Sequence, residues 1–126
     1  MKKRNIVVAN WKMNPETGAE AKEILEPIKR FVSRLKKTEV VIAPSFVQIP
    51  TISKILGRTG KIFLGAQNVF YKNLGAYTGE VSAPQLKDFK VKYIILGHSE
   101  RRALGESNEI INQKIKNTLT CCSNLL

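Results

Sequence analysis

Residues 5–35, NIVVANWKMNPETGAEAKEILEPIKRFVSRL, decide the fold class. The run Asn5–Ala9 is apolar and β-branched, the signature of a short buried strand, and Trp11–Pro15 after it has the polar and proline character of a loop. From Thr17 the apolar residues Ala21, Ile24, Leu25, Ile28, Phe31, Val32 and Leu35 recur three and four apart, which marks one face of a helix. Pro27 falls inside that stretch. It removes a backbone donor and crowds the preceding turn, so a kinked or split helix is predicted.

The same strand-then-helix unit recurs along the rest of the chain. Glu39–Ala43 repeats the strand signature, and Pro44 and Ser45 lead into a helical segment ending near Leu56 with Gly57 as its cap. A third strand spans Lys61–Gly65, followed by a polar, glycine-containing stretch from Gln67 to Glu80 and a short helix from about Ser82 to Phe89. The fourth strand, Lys92–Leu96, runs into Gly97, His98, Ser99 and Glu100, and a last helix spans roughly Ser107 to Leu119. Four such units, with strands apolar on both faces, predict an α/β fold in which helices cover a parallel sheet. Periodicity leaves an open doubly wound sheet and part of a (β/α)₈ barrel both standing. No G-x-G-x-x-G follows the first strand, which disfavours dinucleotide binding.

Composition narrows the class of function. With 126 residues and 43% apolar content, a single domain over residues 1–126 is expected. No apolar run reaches the roughly 18 residues of a membrane span, so a cytoplasmic protein without a membrane partner is expected. The net charge of +11 would concentrate anionic ligands. Yet many of its lysines and arginines, among them Lys22, Lys29, Arg30, Lys36, Lys37, Lys114 and Lys116, fall between apolar helical positions and read as a solvated outer face. No Arg-rich or aromatic-interleaved stretch points to nucleic acid. The two cysteines, Cys121 and Cys122, are adjacent, so a disulfide between them would be strained, and no metal-ligand spacing accompanies them.

Both candidate architectures place chemistry beyond the C-terminal ends of the strands. The polar residues there are Asn10 and Lys12, then Ser45, then Gln67 and Asn68, then His98, Ser99 and Glu100. Lys12 at a strand exit would hold a phosphate or stabilise a developing oxyanion, although a lysine there is commonly just solvated. Asn10 reads either as a ligand or as an amide that satisfies the loop backbone. His98 is the only histidine. A helical turn capped by Ser99 would follow it, and a helix N-terminus disfavours imidazolium, leaving a neutral ring that donates to a carbonyl; the alternative is a satisfied structural histidine, and the strand-terminus position favours the functional reading. Glu100 and Glu106 lie near Arg101 and Arg102, which predicts structural ion pairs for both carboxylates.

Four segments, ANWKMN at 9–14, GAQN at 65–68, GAYTGE at 75–80 and LGHSERR at 96–102 with GES downstream at 105–107, resemble the triosephosphate isomerase family. They stand in that family's order and at compatible spacing, and the resemblance runs from about Asn5 to Thr120. It implies a TIM (β/α)₈ barrel that interconverts dihydroxyacetone phosphate and glyceraldehyde 3-phosphate through an enediolate, without metal or organic cofactor. The resemblance also implies a neutral histidine polarising the carbonyl, a glutamate moving the proton and a closing loop. Asn10 and Lys12 match the family's substrate-binding positions, and His98 its electrophile. Glu106 matches a buried supporting glutamate near Lys12. The resemblance also implies a homodimer, with Tyr77, Thr78, Gly79 and Glu80 at the tip of an interlocking loop and Met13, Asn14 and Gln67 at positions that loop packs against.

A full barrel needs about 250 residues, so the resemblance implies only the first four βα units. The family's catalytic glutamate, lid loop and glycine-rich phosphate turns belong to the other half. The last six residues, CCSNLL at 121–126, depart from the family pattern and read as an atypical tail. One codon spelling of that tail, read one base later, gives Ala-Val-Leu-Thr-Ser, so a frameshift is expected. Two readings follow: an isomerase polypeptide, or a catalytically silent barrel fragment that serves at most as an association module. Half a barrel has unpaired strand edges, which predicts poor solubility or self-association.

Overall fold

A computed structural model describes residues 4–57 and 60–121. Its elements in chain order are β1 (Asn5–Asn10), α1 (Gly18–Val32), β2 (Thr38–Ala43), a 3₁₀ turn (Phe46–Gln48) running into α2 (Ile49–Leu56), β3 (Ile62–Ala66), α3 (Ala83–Asp88), β4 (Tyr93–Ile94), α4 (Ser99–Ala103) and α5 (Asn108–Cys121). The expected unit of strand then helix is present four times. Pro27 does not split α1, which runs through it as one helix. Its first turn is fixed by a reciprocal pair: Thr17 accepts from the Glu20 N–H while the Glu20 carboxylate receives the Thr17 N–H. Ser82 and Gln85 make the same box at the start of α3. The fourth strand is shorter than expected, two residues instead of five, because only Gly65 and Ala66 face it in register.

The four strands are parallel and adjacent in sequence order, β1-β2-β3-β4. That order resolves the choice the sequence left open. A doubly wound sheet reverses direction partway, putting helices on both faces, whereas a sequential order with right-handed crossovers keeps every helix on one face and curls the sheet into a barrel. The packing agrees. Val40, Ile42, Ile62, Leu64, Ala66 and Ile94 point into one core with Ala21, Leu25, Ile49, Ile52, Leu56 and Leu86 of the helices. The alternate positions Val41, Ala43, Gly65 and Tyr93 take the other face, the barrel interior. Gly65 is required there: a Cβ would sit 2.8 Å from the Val41 Cγ1.

Lys114 departs from its expected solvated position, because it is 4% exposed and lies under the loop after β3. Cys121 is the last residue of α5 and so continues a helix rather than opening a tail. The remaining tail residues, Cys122 to Leu126, with any pairing of Cys121 and Cys122, lie outside the described residues. No helix among the described residues is long and apolar enough to cross a membrane.

Candidate active site

The C-terminal ends of the strands bring the first and fourth loops together. Lys12 Nζ lies 2.9 Å from Glu100 Oε1, and the other oxygen of that carboxylate is 3.8 Å from His98 Nδ1. The ammonium and the imidazole therefore stand at one rim, joined through Glu100. The Lys12 hydrogen bond, and behind it the Lys12 charge, hold the Glu100 carboxyl below its ordinary range despite some desolvation. Glu100 pairs with Lys12, not with the neighbouring arginines that its sequence position suggested. Arg102 instead donates to the Gly97 carbonyl at 2.8 Å and to Asn108 Oδ1 at 2.7 Å.

His98 is itself the N-cap of α4, displacing Ser99, which is the first helical residue. Its Nδ1 accepts the Glu100 N–H at 3.1 Å. A ring whose Nδ1 accepts a backbone N–H carries its proton on Nε2, so the free edge is a hydrogen-bond donor. The cap thus selects the tautomer in which Nε2 is the donor.

Lys12 holds a left-handed backbone, φ 56°, which an L side chain adopts at a cost. Two side chains clamp it there. Asn10 Oδ1 accepts the Lys12 N–H at 2.9 Å, and Gln67 Nε2 donates to the Lys12 carbonyl and to the Ala43 carbonyl, each at 2.8 Å. Of the two readings of Asn10, the hydrogen bond shows the one in which the amide satisfies the loop backbone. Gln67 thereby ties the loop after β1 to β2 and β3, an intrachain role that the sequence did not reveal.

Glu106 is buried with Lys114, at 2.7 Å, and also accepts from Arg101 Nε at 3.2 Å. Burial pushes its carboxyl up, but the hydrogen bonds and charges of Lys114 and Arg101 outweigh that and hold it below the ordinary range. Lys114 also donates to Asn68 Oδ1 at 2.8 Å, so this network braces the loop after β3 against α5. Glu106 is the paired structural carboxylate expected, with Lys114 as its closest partner in place of Lys12. The one sequence signal for Lys114 was its three-residue spacing from Ile111 on the buried face of α5.

Met13 is 92% exposed, and Asn14 donates weakly to the Trp11 carbonyl. Thr78, Gly79 and Glu80 are exposed as well, while Tyr77 leans on the Phe70 ring with 4.7 Å between centroids. Ser45 precedes the 3₁₀ turn without capping it through its side chain.

A singly wound parallel sheet with a lysine, a histidine and a bridging carboxylate at its C-terminal rim defines a (β/α)-barrel protein with a rim site. The triosephosphate isomerase family model matches residues 5–123, and the chain belongs to that family. Among curated relatives, each named triosephosphate isomerase, the chain is 48% identical over 113 residues to that of Thermodesulfovibrio yellowstonii, covering 89% of this chain and 45% of the relative. It is 46% identical over 118 residues to that of Dehalococcoides mccartyi, covering 92% and 46%. It is 43% identical over 113 residues to that of Aquifex aeolicus, covering 89% and 45%. The chain thus spans about half the length of the curated relatives it matches.

Proposed function

We propose that this chain supplies the lysine and histidine side of a triosephosphate isomerase site, which interconverts dihydroxyacetone phosphate and D-glyceraldehyde 3-phosphate through an enediolate. The observation that carries this reading is the Lys12–Glu100–His98 cluster, with Nε2 of His98 left as a donor. Lys12 and Asn10 bind the substrate, the ammonium supplying charge opposite the phosphate and the developing oxyanion. His98 donates from Nε2 to the carbonyl oxygen as it gains charge, and Ser99, Glu100 and Glu106 support the rim. The proton moving between the two carbons needs a carboxylate base from the family's other half.

The reading extends to a cytoplasmic homodimer in one domain, in which Tyr77, Thr78, Gly79 and Glu80 of one subunit pack beside Met13, Asn14 and Gln67 of the other. The exposure of Met13, and of Leu74 at 93%, supports an apolar surface that a second subunit would cover. A second reading, a catalytically silent association module, is favoured by the ion pairs of Glu100 and Glu106, which leave neither rim carboxylate free to act as a base.

A coupled triosephosphate assay separates the readings, run on the purified chain alone and on the chain mixed with the C-terminal half of a relative's barrel. The chain alone is expected to show no turnover. The complemented mixture is expected to be active and to lose about 10²- to 10⁴-fold on His98→Gln. No activity in a complemented mixture that has assembled, or full activity with His98→Gln, would overturn the proposal.

A further inference from the structure

At the opposite ends of the strands, α2, α3, α5 and the starts of β3 and β4 surround a cleft of about 1160 Å³, somewhat larger than the usual small-molecule pocket. Its lining contains four lysines, Lys54, Lys87, Lys90 and Lys92, and no carboxylate among the described residues. Lys92 is engaged: its Nζ is 3.6 Å from the centroid of the Phe63 ring and 3.9 Å from Glu39 Oε2. No ion pair is formed by Lys54, Lys87 or Lys90 among the described residues. The floor between these cations is apolar, built from Phe63, Phe89, Val91 and Leu119.

Two features hold the basic wall in place. Ser53 Oγ donates to the Phe89 carbonyl at 2.7 Å, tying α2 to the turn after α3. In that turn Lys90 adopts φ 65°, a left-handed conformation that glycine takes freely and lysine does not. The Lys90 N–H donates to the Lys87 carbonyl and the Val91 N–H to the Leu86 carbonyl, so the strained residue is pinned from both sides. A cation stands where backbone chemistry favours glycine, at the mouth of a concave surface whose lining holds no carboxylate among the described residues.

We propose that this cleft binds a small polyphosphate carried on an aromatic body, the chemical class of a nucleoside di- or triphosphate. The phosphates would meet Lys54, Lys87 and Lys90, and the ring would lie against Phe89, since Lys92 already covers the Phe63 ring, using charge and apolar burial together. An anion without the ring uses the lysines alone and binds less well; a neutral nucleoside uses the floor alone. A purely solvated lysine face would reject the neutral nucleoside but would not favour ATP over tripolyphosphate.

The test is a calorimetric titration of the full chain at low salt with ATP, inorganic tripolyphosphate and adenosine as separate probes. ATP is expected to bind at least about fivefold more tightly than either of the others and to weaken with added salt. The triple variant Lys54→Gln, Lys87→Gln, Lys90→Asn is expected to raise the ATP Kd about tenfold or more, the asparagine keeping the left-handed turn accessible. Phe89→Ala is expected to weaken ATP and leave tripolyphosphate unchanged. Photolabelling of the unmodified chain with an azido-ATP, followed by peptide mapping, gives a readout that does not depend on a variant folding, with label expected on residues 53–64 or 86–95. Equal binding of ATP and tripolyphosphate, an unchanged Kd in the folded triple variant, label confined to other residues, or tighter binding of poly-glutamate than of ATP would each overturn the proposal.

Discussion

Lys12 places a cation at the rim by accepting a backbone conformation that costs an L residue about 1–2 kcal/mol. Its strain is balanced by the side chains of Asn10 and Gln67 rather than by any preference of its own. Lys12→Gly should therefore stabilise the chain by about 1 kcal/mol relative to Lys12→Ala, because both variants lose the ammonium and only glycine loses the strain. Urea unfolding of the two variants measures the difference, and equal midpoints would refute the assignment of strain. Glu106 is the other decisive residue. Glu106→Gln leaves the buried Lys114 ammonium without its counter-ion, an expected loss of about 3–5 kcal/mol, whereas Glu106→Gln with Lys114→Met should recover part of it. The sign with pH follows from the lowered native pKa of Glu106. Its stabilisation is complete above the unfolded value, about 4.3, and disappears as pH falls through the native one. Urea midpoints measured from pH 7 downward should fall less steeply below pH 5 in the glutamine variant.

The elements owe their boundaries to short-range chemistry and their survival to packing. Helix α1 keeps Pro27 because the capping box fixes its start and because Ala21, Leu25 and Val32 are buried on its inner face, a gain that exceeds the loss of one backbone hydrogen bond. Pro27 is on the exposed side. Pro27→Ala should stabilise the chain by about 2 kcal/mol, the restored hydrogen bond less the added freedom of the unfolded chain, as read by thermal or urea unfolding. An unchanged or lowered midpoint would mean that α1 has already adjusted to the ring. The shortness of β4 has a different origin. Its register with β3 covers only Gly65 and Ala66, and at Gly65 the missing side chain leaves room for Val41 on the interior face.

On the scale of the whole molecule, the sheet has β1 and β4 as its two edges. Among the described residues β1 pairs with β2 alone, and Ile6, Val7 and Val8 are 48%, 52% and 38% exposed. A parallel strand apolar on both faces is ordinarily buried, so this edge is a template for association. The 126-residue chain should therefore sediment with a mass that rises with concentration. Added salt should strengthen the effect by screening the repulsion among chains of net charge +11. Val7→Lys should weaken it. A sharp monomer independent of concentration in analytical ultracentrifugation would contradict this account.

Sequence by itself determined the elements and most of the rim, because strand and helix periodicity, caps and turn residues are encoded locally. The start of α1 near Thr17, Gly57 after α2 and the strand-end positions of Asn10, Lys12 and His98 were all legible in this way. Whether the winding keeps one direction was not, since an open sheet and a barrel use the same right-handed units, and the strand order separated them only when the units packed. Partnership was also hidden. That Glu100 faces Lys12, that Gln67 clamps the Lys12 backbone from 55 positions away, and that Lys114 is buried all depend on contacts between loops distant in the chain. Local pattern fixes which way a side chain leaves its own element, but what it meets there is decided by tertiary packing.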